Sequence, residues 1–348
     1  MRLATYNVEW FSKLFDRNDQ LLENNNWSGK WNVTKSMQIN SLGHVFKAMD
    51  ADGIMVIEAP DNGNEQSSVI ALENFAAHFN LRQNKAIIGF SNHTQQEITF
   101  LFDPEKMDVI HDPLGFTPPH NGARDTPRFD GVFHLDVDVD AKPEKISFSK
   151  PPLELLVIPK GGDPMRLIGV HAKSKAPHGA RSQQQRVRIA IDNRRKQLAQ
   201  CIWLRQRVDE HLILGDDLIV MGDFNDGPGL DEYEKLFGQS GVEIVIGVSK
   251  SIAETLREPH AEAAMSARAG GFPTTSRFYI HESKTYLNAL LDYIMVSPDL
   301  ANTTSPVWKI WHPFNDPDCF DDNYLCEALL TASDHFPVTI DLDLPIQG

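Results

Sequence analysis

A single α/β domain built on two β-sheets with helices outside is the fold class this sequence predicts. Three observations carry it. Short β-branched and apolar runs recur with Gly, Pro, Asn or Asp between them. Helical periodicity fills several of the intervals between those runs. A chain of 348 residues is also longer than one small sheet can use, while a two-sheet sandwich absorbs that length in one domain, expected to span 1–348.

Strand-like runs lie at 2–8, 53–58, 84–90, 97–102, 153–158, 166–171, 217–222, 292–297 and 336–342, too many for one sheet. Helical patterns occupy 34–50, 67–79, 181–212 and 229–238. Segments 103–131, 259–290 and 302–332, rich in Pro, Asp, Asn or aromatic residues, read as loops longer than a connection requires and are expected to face substrate. No repeat of solenoid period and no low-complexity tract interrupts the chain.

The helix from 181 carries Arg181, Arg186, Arg188, Arg194, Arg195, Lys196, Arg205 and Arg207 against Asp192 alone. Val187, Ile191, Leu198 and Ile202 recur on it at helical spacing, so a solvated basic face over an apolar stripe accounts for the charges, with nucleic-acid contact as the competing reading.

Apolar residues at 41% and charged residues at 23% are ordinary globular usage. No run approaches the roughly 18 apolar residues of a membrane span, and the opening MRLATYNVEWF lacks the basic and then apolar pattern of an export signal. Cys201, Cys319 and Cys326 are too few and too scattered for a disulfide framework or a structural zinc site, so a reducing, cytoplasmic setting is expected. The net charge of −15 argues against a broad non-specific nucleic-acid surface, although a metal-rich site in an acidic protein still cleaves nucleic acid. Nothing points to a protein partner.

Chemistry-bearing residues gather where strands give way to loops, the places from which a rigid sheet presents side chains to one cleft. They stand in Tyr6-Asn7-Val8-Glu9, Ile57-Glu58, His171-Ala172-Lys173-Ser174, Gly222-Asp223-Phe224-Asn225-Asp226, Leu291-Asp292-Tyr293 and Ser333-Asp334-His335. Phosphoester hydrolysis needs charge neutralised on the non-bridging oxygens, a water activated in line and a stabilised leaving oxygen. Carboxylates with an Asn amide suit a hard cation such as Mg²⁺, for which Glu58 and Asn7 are candidates. A carboxylate such as Asp292 fixes the tautomer of an imidazole such as His335. Each run alone is ambiguous, an isolated His being most often a satisfied or surface residue. Motifs of serine hydrolases, zinc peptidases and P-loop proteins are absent.

In this order, Asn, Glu, HxKS, GDFN, LDYIMVS and SDH, the runs resemble the endonuclease/exonuclease/phosphatase superfamily, and the resemblance extends from Asn7 to His335. It implies a four-layer αββα sandwich of two mixed sheets flanked by helices, with Mg²⁺ or Mn²⁺ in the cleft. Glu58, Asn7 and Asp334 then stand on the metal side, Asp223 and Asn225 position water and phosphate, and His171 donates to a phosphate oxygen. His335 is oriented by Asp292, with either His335 or Asp223 as the base. Lys150 and Lys173, with Asn225, are the substrate-binding candidates, Lys150 standing where similar runs carry Arg. The expected activity is metal-dependent hydrolysis of a phosphodiester, nucleic acid among the candidate substrates. A phosphomonoesterase, a lipid-headgroup phosphodiesterase and an inactive binding module on the same fold are the alternatives. Trp308, Trp311, Phe314, Phe320 and Tyr324 are expected at the cleft rim or in ordinary loop packing.

Overall fold

Strands that are apolar on both faces have to be covered on both faces, and this chain has two sets of them. The computed structural model describes residues 1–63, 65–92, 94, 96–116, 126–136, 143–177, 179–228, 238–266, 272–280 and 284–345. In chain order the first half gives β1 (Arg2–Asn7), α1 (Lys35–Met49), β2 (Gly53–Ala59), α2 (Ser68–His78), β3 (Lys85–Ile88), β4 (Glu97–Phe102), β5 (Met107–His111), β6 (Phe133–Leu135), β7 (Glu144–Ile146), β8 (Leu153–Pro159) and β9 (Met165–His171). The second half gives α3 (Gln183–Leu214), β10 (Leu218–Asp223), α4 (Gly241–Ile246), α5 (Pro259–Ser266), β11 (Ser276–Ile280), β12 (Thr285–Ala289), β13 (Asp292–Val296), α6 (Pro298–Thr304), β14 (Val307–Ile310), α7 (Pro317–Asp321), α8 (Asn323–Ala332) and β15 (Val338–Asp341). One six-stranded sheet runs β14-β15-β1-β2-β4-β3 and one five-stranded sheet runs β13-β10-β9-β8-β5.

Alternation along the strands sorts their side chains into three apolar layers. On β2, Ile54 and Val56 meet α1, α2 and α8 through Leu42, Phe46, Phe75 and Leu329, while Met55 and Ile57 face the other sheet. On β10, Ile219 and Met221 enter the layer between the sheets, while Val220 packs with Trp203, Leu204 and Val208 of α3. Helix, sheet, sheet and helix therefore stack as the four-layer αββα sandwich expected.

All nine expected strands form, as do the helices over 34–50, 67–79 and 181–212. The helix expected over 229–238 falls almost wholly outside the described residues. The three long loops need correction. Segment 103–131 contains β5, 259–290 contains α5 and the β11–β12 hairpin, and 302–332 contains β14, α7 and α8. In the last, the Asp and Pro residues that suggested a loop are helix starts: Asp316 caps α7 by accepting from Cys319 N at 3.0 Å, Asp322 caps α8 at Leu325 N at 3.0 Å, and Pro317 opens α7.

The basic helix also departs from a uniformly solvated face. Arg194, Arg205 and Arg207 are buried, paired with Asp226 at 3.0 Å, Asp209 at 2.6 Å and Glu154 at 3.0 Å. Only the first turns, 183–188, are exposed on every side.

Gly222 is the one glycine on which the placement of chemistry depends. It sits at φ 140° beside β9, and a Cβ there would lie 2.0 Å from the carbonyl oxygen of Val170. Gly222→Ala should lower stability by about 2 kcal/mol or more. A thermal melt indistinguishable from the parent would contradict this close approach.

Candidate functional site

Parallel pairing of β1 with β2 and of β9 with β10 brings four strand ends to one edge of the sandwich. β13 and β15 run antiparallel to their neighbours, so their beginnings arrive at that same edge. Asn7 ends β1, and His171 and Asp223 end β9 and β10 directly opposite one another. Asp292 opens β13 opposite Asp223. Asp334 and His335 precede β15, held by Arg277 N donating to Asp334 O at 2.8 Å and Phe336 N donating to Thr275 O at 2.6 Å.

Glu58 reaches the edge by a different device. The β2–β4 register shifts between Ile57 and Ala59, and Glu58 adopts φ 59°, a conformation costly for a non-glycine residue. The bulge turns its carboxylate into the cleft. Asn225, at φ 50°, makes the corresponding turn after β10.

The resulting cavity of about 620 Å³ is lined by Asn7, Glu58, Lys150, His171, Lys173, Asp223, Asn225, Asp334 and His335. Every catalytic, metal-side and substrate-binding candidate from the sequence is therefore at the cleft wall except Asp292, which is bonded to His335. Glu9, Trp10, Gln96 and Phe278 are also on the wall.

Two hydrogen bonds join the sheets here. Asn7 Nδ2 donates to Asp223 Oδ2 at 2.9 Å, and His335 Nδ1 meets Asp292 Oδ2 at 2.7 Å. Asn225 closes on Asp223 twice, through its backbone N–H to Oδ1 at 2.7 Å and its side-chain amide to Oδ2 at 3.1 Å; the amide also donates to Ala172 O at 3.2 Å. Ser333 Oγ bonds Asn7 O at 2.8 Å and accepts from His335 N at 3.2 Å, tying the β1 end to the SDH run.

Lys150 Nζ donates to Gln96 Oε1 at 2.7 Å and lies 3.0 Å from His171 Nδ1. Gln96 Nε2 in turn donates to Glu58 Oε2. An ammonium has only donors, so Nδ1 of His171 accepts and its hydrogen sits on Nε2. That atom faces Asp223 Oδ2 at 3.7 Å and Glu58 Oε1 at 3.9 Å.

Burial and mutual repulsion shape the protonation of this wall. Burial, with Asp292 and Glu58 nearby, pushes Asp223 up to about 7 against the pull of His335. Burial and then Asp334 push Glu9 up to about 7. Glu58 is raised by burial, partly relieved by Lys150 and His335. Burial opposes charge on His335, but Asp292, Asp223 and Asp334 outweigh it and hold the imidazolium well above its ordinary range. Burial, joined by Lys150, His335 and Lys173, holds His171 well below that range, neutral.

The wall suits a hard cation. Asn7 Oδ1 is a buried acceptor without a hydrogen-bond partner, beside the end of the strand that carries Glu58. Glu9, Glu58 and Asp334 repel one another. Asp223, Asp292 and His335 also bring ligand atoms within 4.8 Å of one another. Since Asp292 occupies Nδ1 of His335 and favours its charged form, the oxygen set at Glu58 and Asn7 is the better match for a hard divalent cation.

Of the two readings left open for the aromatics of 302–332, ordinary packing is the one that holds for the tryptophans. Trp311 is buried and donates to Thr339 Oγ1 at 3.0 Å, Trp308 donates to Ile294 O at 2.7 Å, and neither lines the cavity. Phe314, Phe320 and Tyr324 are exposed away from its wall. Trp10 and Phe278 take that position, Phe278 meeting His335 edge-on at 5.4 Å between ring centres. Gln96, with no motif around it, had no sequence signal. Asp226 is structural: fully buried, it binds Arg194, Lys175 and two backbone N–H groups.

Fold and cleft together define the class: an αββα sandwich with acids, amides and imidazoles converging on one sheet edge. The chain belongs to the endonuclease/exonuclease/phosphatase family, whose model matches residues 4–335. Its members are generally phosphoester hydrolases dependent on divalent metal. Among solved structures, a truncated TDP2 from Caenorhabditis elegans is similar at 14% identity and a TM-score of 0.51, over 98% of this chain and 97% of that one. A selenomethionine crystal structure of TDP2 from the same organism gives 15% identity and a TM-score of 0.50, over 99% of this chain and 74% of that one. A family member from Bacteroides vulgatus gives 14% and 0.48, over 99% and 98%. At such identities the likeness is one of fold. No curated protein matches the sequence. No helix among the described residues is long and apolar enough to cross a membrane.

Because its folded pKa is raised to about 7 from 4.5, Glu9 contributes stability that is complete below the unfolded value and lost as pH rises through 7. In excess chelator, Glu9→Gln should therefore melt higher than the parent at pH 8, by about 2 °C or more, with the gap closing toward pH 4.5. An equal gap at both pH values would show that the carboxylate is not strained by its surroundings.

Proposed function

We propose that this protein is a divalent-metal-dependent phosphodiesterase or nuclease, with Asp223 as the proton acceptor and His335 as a fixed positive charge. The observation that carries this reading is geometric: Asn7 and Asn225 hold the Asp223 carboxylate on the cleft wall, while Asp292 binds Nδ1 of His335 at 2.7 Å from behind. Burial and neighbouring carboxylates raise the proton affinity of Asp223, and Asp292 raises that of His335, which leaves Asp223 as the group to exchange a proton near neutrality and His335 as the charged donor.

Glu58 and Asn7, with Asp334 nearby, would hold Mg²⁺ or Mn²⁺, which when bound would neutralise charge on the phosphate and polarise water. Asp223 takes the proton of the attacking water as the water oxygen bonds phosphorus; the ester P–O bond breaks, and the leaving oxygen departs to take a proton from solvent. Three N–H groups of Asn7 and Asn225 fix the Asp223 carboxylate, two of them at Oδ2 and one at Oδ1. His335 Nε2–H and His171 Nε2–H donate to the non-bridging oxygens, where charge builds. Lys150 acts through His171 by setting its tautomer, and also through Gln96 and Glu58. Lys173 and Asn225 are the remaining candidates for substrate contact, Asn225 only by releasing one of its present bonds.

Turnover of bis(p-nitrophenyl) phosphate should require Mg²⁺ or Mn²⁺ and vanish in chelator, with Glu58→Gln raising the metal concentration needed. Full activity in excess chelator, or no turnover with either ion, overturns the reading. Asp223→Asn should abolish the acidic limb of the pH–rate profile, whereas His335→Asn should lower the plateau and leave that limb in place; the reverse pattern makes His335 the base. His335→Ala should cost roughly 10² to 10³ in rate, the loss typical of one preorganised donor. Asp292→Ala should cost no more, and the double variant should be hardly slower than His335→Ala. Losses that multiply would mean that Asp292 acts apart from the imidazole.

A further inference from the structure

An edge strand leaves half of its backbone groups unmet, and this fold treats two of its edges differently. β13, outermost in the five-stranded sheet, is covered: Arg257 and Val296 exchange backbone bonds of 2.8 and 3.0 Å, and Trp308 Nε1 donates to Ile294 O at 2.7 Å. β14, outermost in the six-stranded sheet, is open. Its register sets Val307 against Asp341 and Lys309 against Thr339, and Trp311 N continues that alternation by donating to Pro337 O at 2.9 Å. Val307 and Lys309 therefore bond β15, while Trp308 and Ile310 turn their N–H groups outward. Ile310 O accepts from His312 N at 2.9 Å, but Trp308 N–H, Trp308 O and Ile310 N–H meet no partner among the described residues.

A cavity of about 440 Å³ runs along this edge. It touches Val307, Trp308, Lys309 and Ile310 in succession. Successive side chains of a strand point to opposite faces, so a space that meets all four lies against the strand's side and on neither face. His260, Pro273 and Thr274 also line it, which makes the edge one wall of a groove. His312, on the same lining, is 5% exposed, and its Nδ1 accepts from Phe314 N and Asn315 N at 3.1 Å each. Its hydrogen is thus on Nε2, a second kind of donor left without a partner. None of these residues is on the wall of the catalytic cleft.

Charge at the rim selects the occupant. Lysine on an edge strand ordinarily repels other strands, but Lys309 Nζ is held by Asp316 at 3.0 Å and Asp318 at 2.7 Å. From Val307 to Asp322 the chain carries four aspartates against that one lysine, and the Asp318 side chain is 83% exposed. Edge pairing with a second copy would bring two such rims together in a chain of net charge −15. A basic segment meets opposite charge instead. We propose that the open edge of β14 is a docking site for an extended, basic segment of a partner protein, added as a further strand beside Trp308 and Ile310. Main-chain bonds to the unmet groups of those two residues fix the segment, and its lysine or arginine side chains face Asp316 and Asp318.

The probe is a fluorescent hexapeptide alternating lysine with valine, titrated by anisotropy. The parent should bind it, and should bind its fully N-methylated form, which has no main-chain donor, about tenfold more weakly or worse. Ile310→Pro removes an outward N–H that β15 does not use, so the thermal melt and turnover of bis(p-nitrophenyl) phosphate should persist while peptide affinity falls about tenfold. Asp318→Lys should weaken binding and flatten its salt dependence. In the free protein the amide hydrogens of Trp308 and Ile310 should exchange fast and that of Lys309 slowly, the first two slowing when the peptide is added. Should Ile310→Pro fail to fold, the methylated peptide and the exchange rates still decide. A parent that does not bind, equal affinity for the methylated peptide, or protected Trp308 and Ile310 amides in the free protein overturns the proposal. So does a concentration-dependent dimer that Ile310→Pro abolishes, which would give the edge to a second copy.

Discussion

The cleft depends on the buried bond between His335 Nδ1 and Asp292 Oδ2, 2.7 Å long, because it joins the two sheets and places a positive charge among acids. Asp292 opens β13 in the five-stranded sheet, whereas His335 introduces β15 in the six-stranded one. Asn7 and Asp223 repeat the connection a short way along the same edge. With these two bonds in place the sheets cannot slide without breaking buried polar contacts, each of which is costly to leave unmade. Loss of the imidazolium would also leave Asp223, Asp334 and Glu58 with less opposing charge in a poorly solvated space.

The backbone yields where this edge is assembled. Glu58, Asn225 and Trp10 all adopt positive φ, and Gly222 is pressed against the β9 backbone. Such conformations persist only when surrounding structure over-determines them. Here that support comes from three apolar layers, one between the sheets and one under each set of helices. Stability built in the core thus holds an edge that is unfavourable by itself, with crowded carboxylates and an orphaned Asn7 Oδ1.

Much of this was legible in the sequence, for definite physical reasons. Central strands are read from continuous apolar runs, and the polar residues that interrupt them at Asn7, His171, Asp223 and Asp292 mark the strand ends that meet. The β11–β12 hairpin escaped notice because its strands are half exposed and lack clean alternation; α7 and α8 did so because their capping Asp and Pro residues look like loop composition. The buried arginines of α3 were misread for a related reason: charge along a helix shows in sequence, but its partners Asp226 and Glu154 lie far away in the chain. Gln96 and Trp10 reach the site through loops, and no periodicity announces them.

Crowded carboxylates with raised proton affinity should give up protons when a cation arrives, since ligation requires the charged forms. Calorimetric titration of Mn²⁺ into the metal-free protein near pH 7, repeated in buffers of different ionisation enthalpy, measures this directly. Saturable binding with net proton release, much weakened in Glu58→Gln, is the expected result. Binding without proton release, or binding equally tight in Glu58→Gln, would contradict a cation site built from these acids.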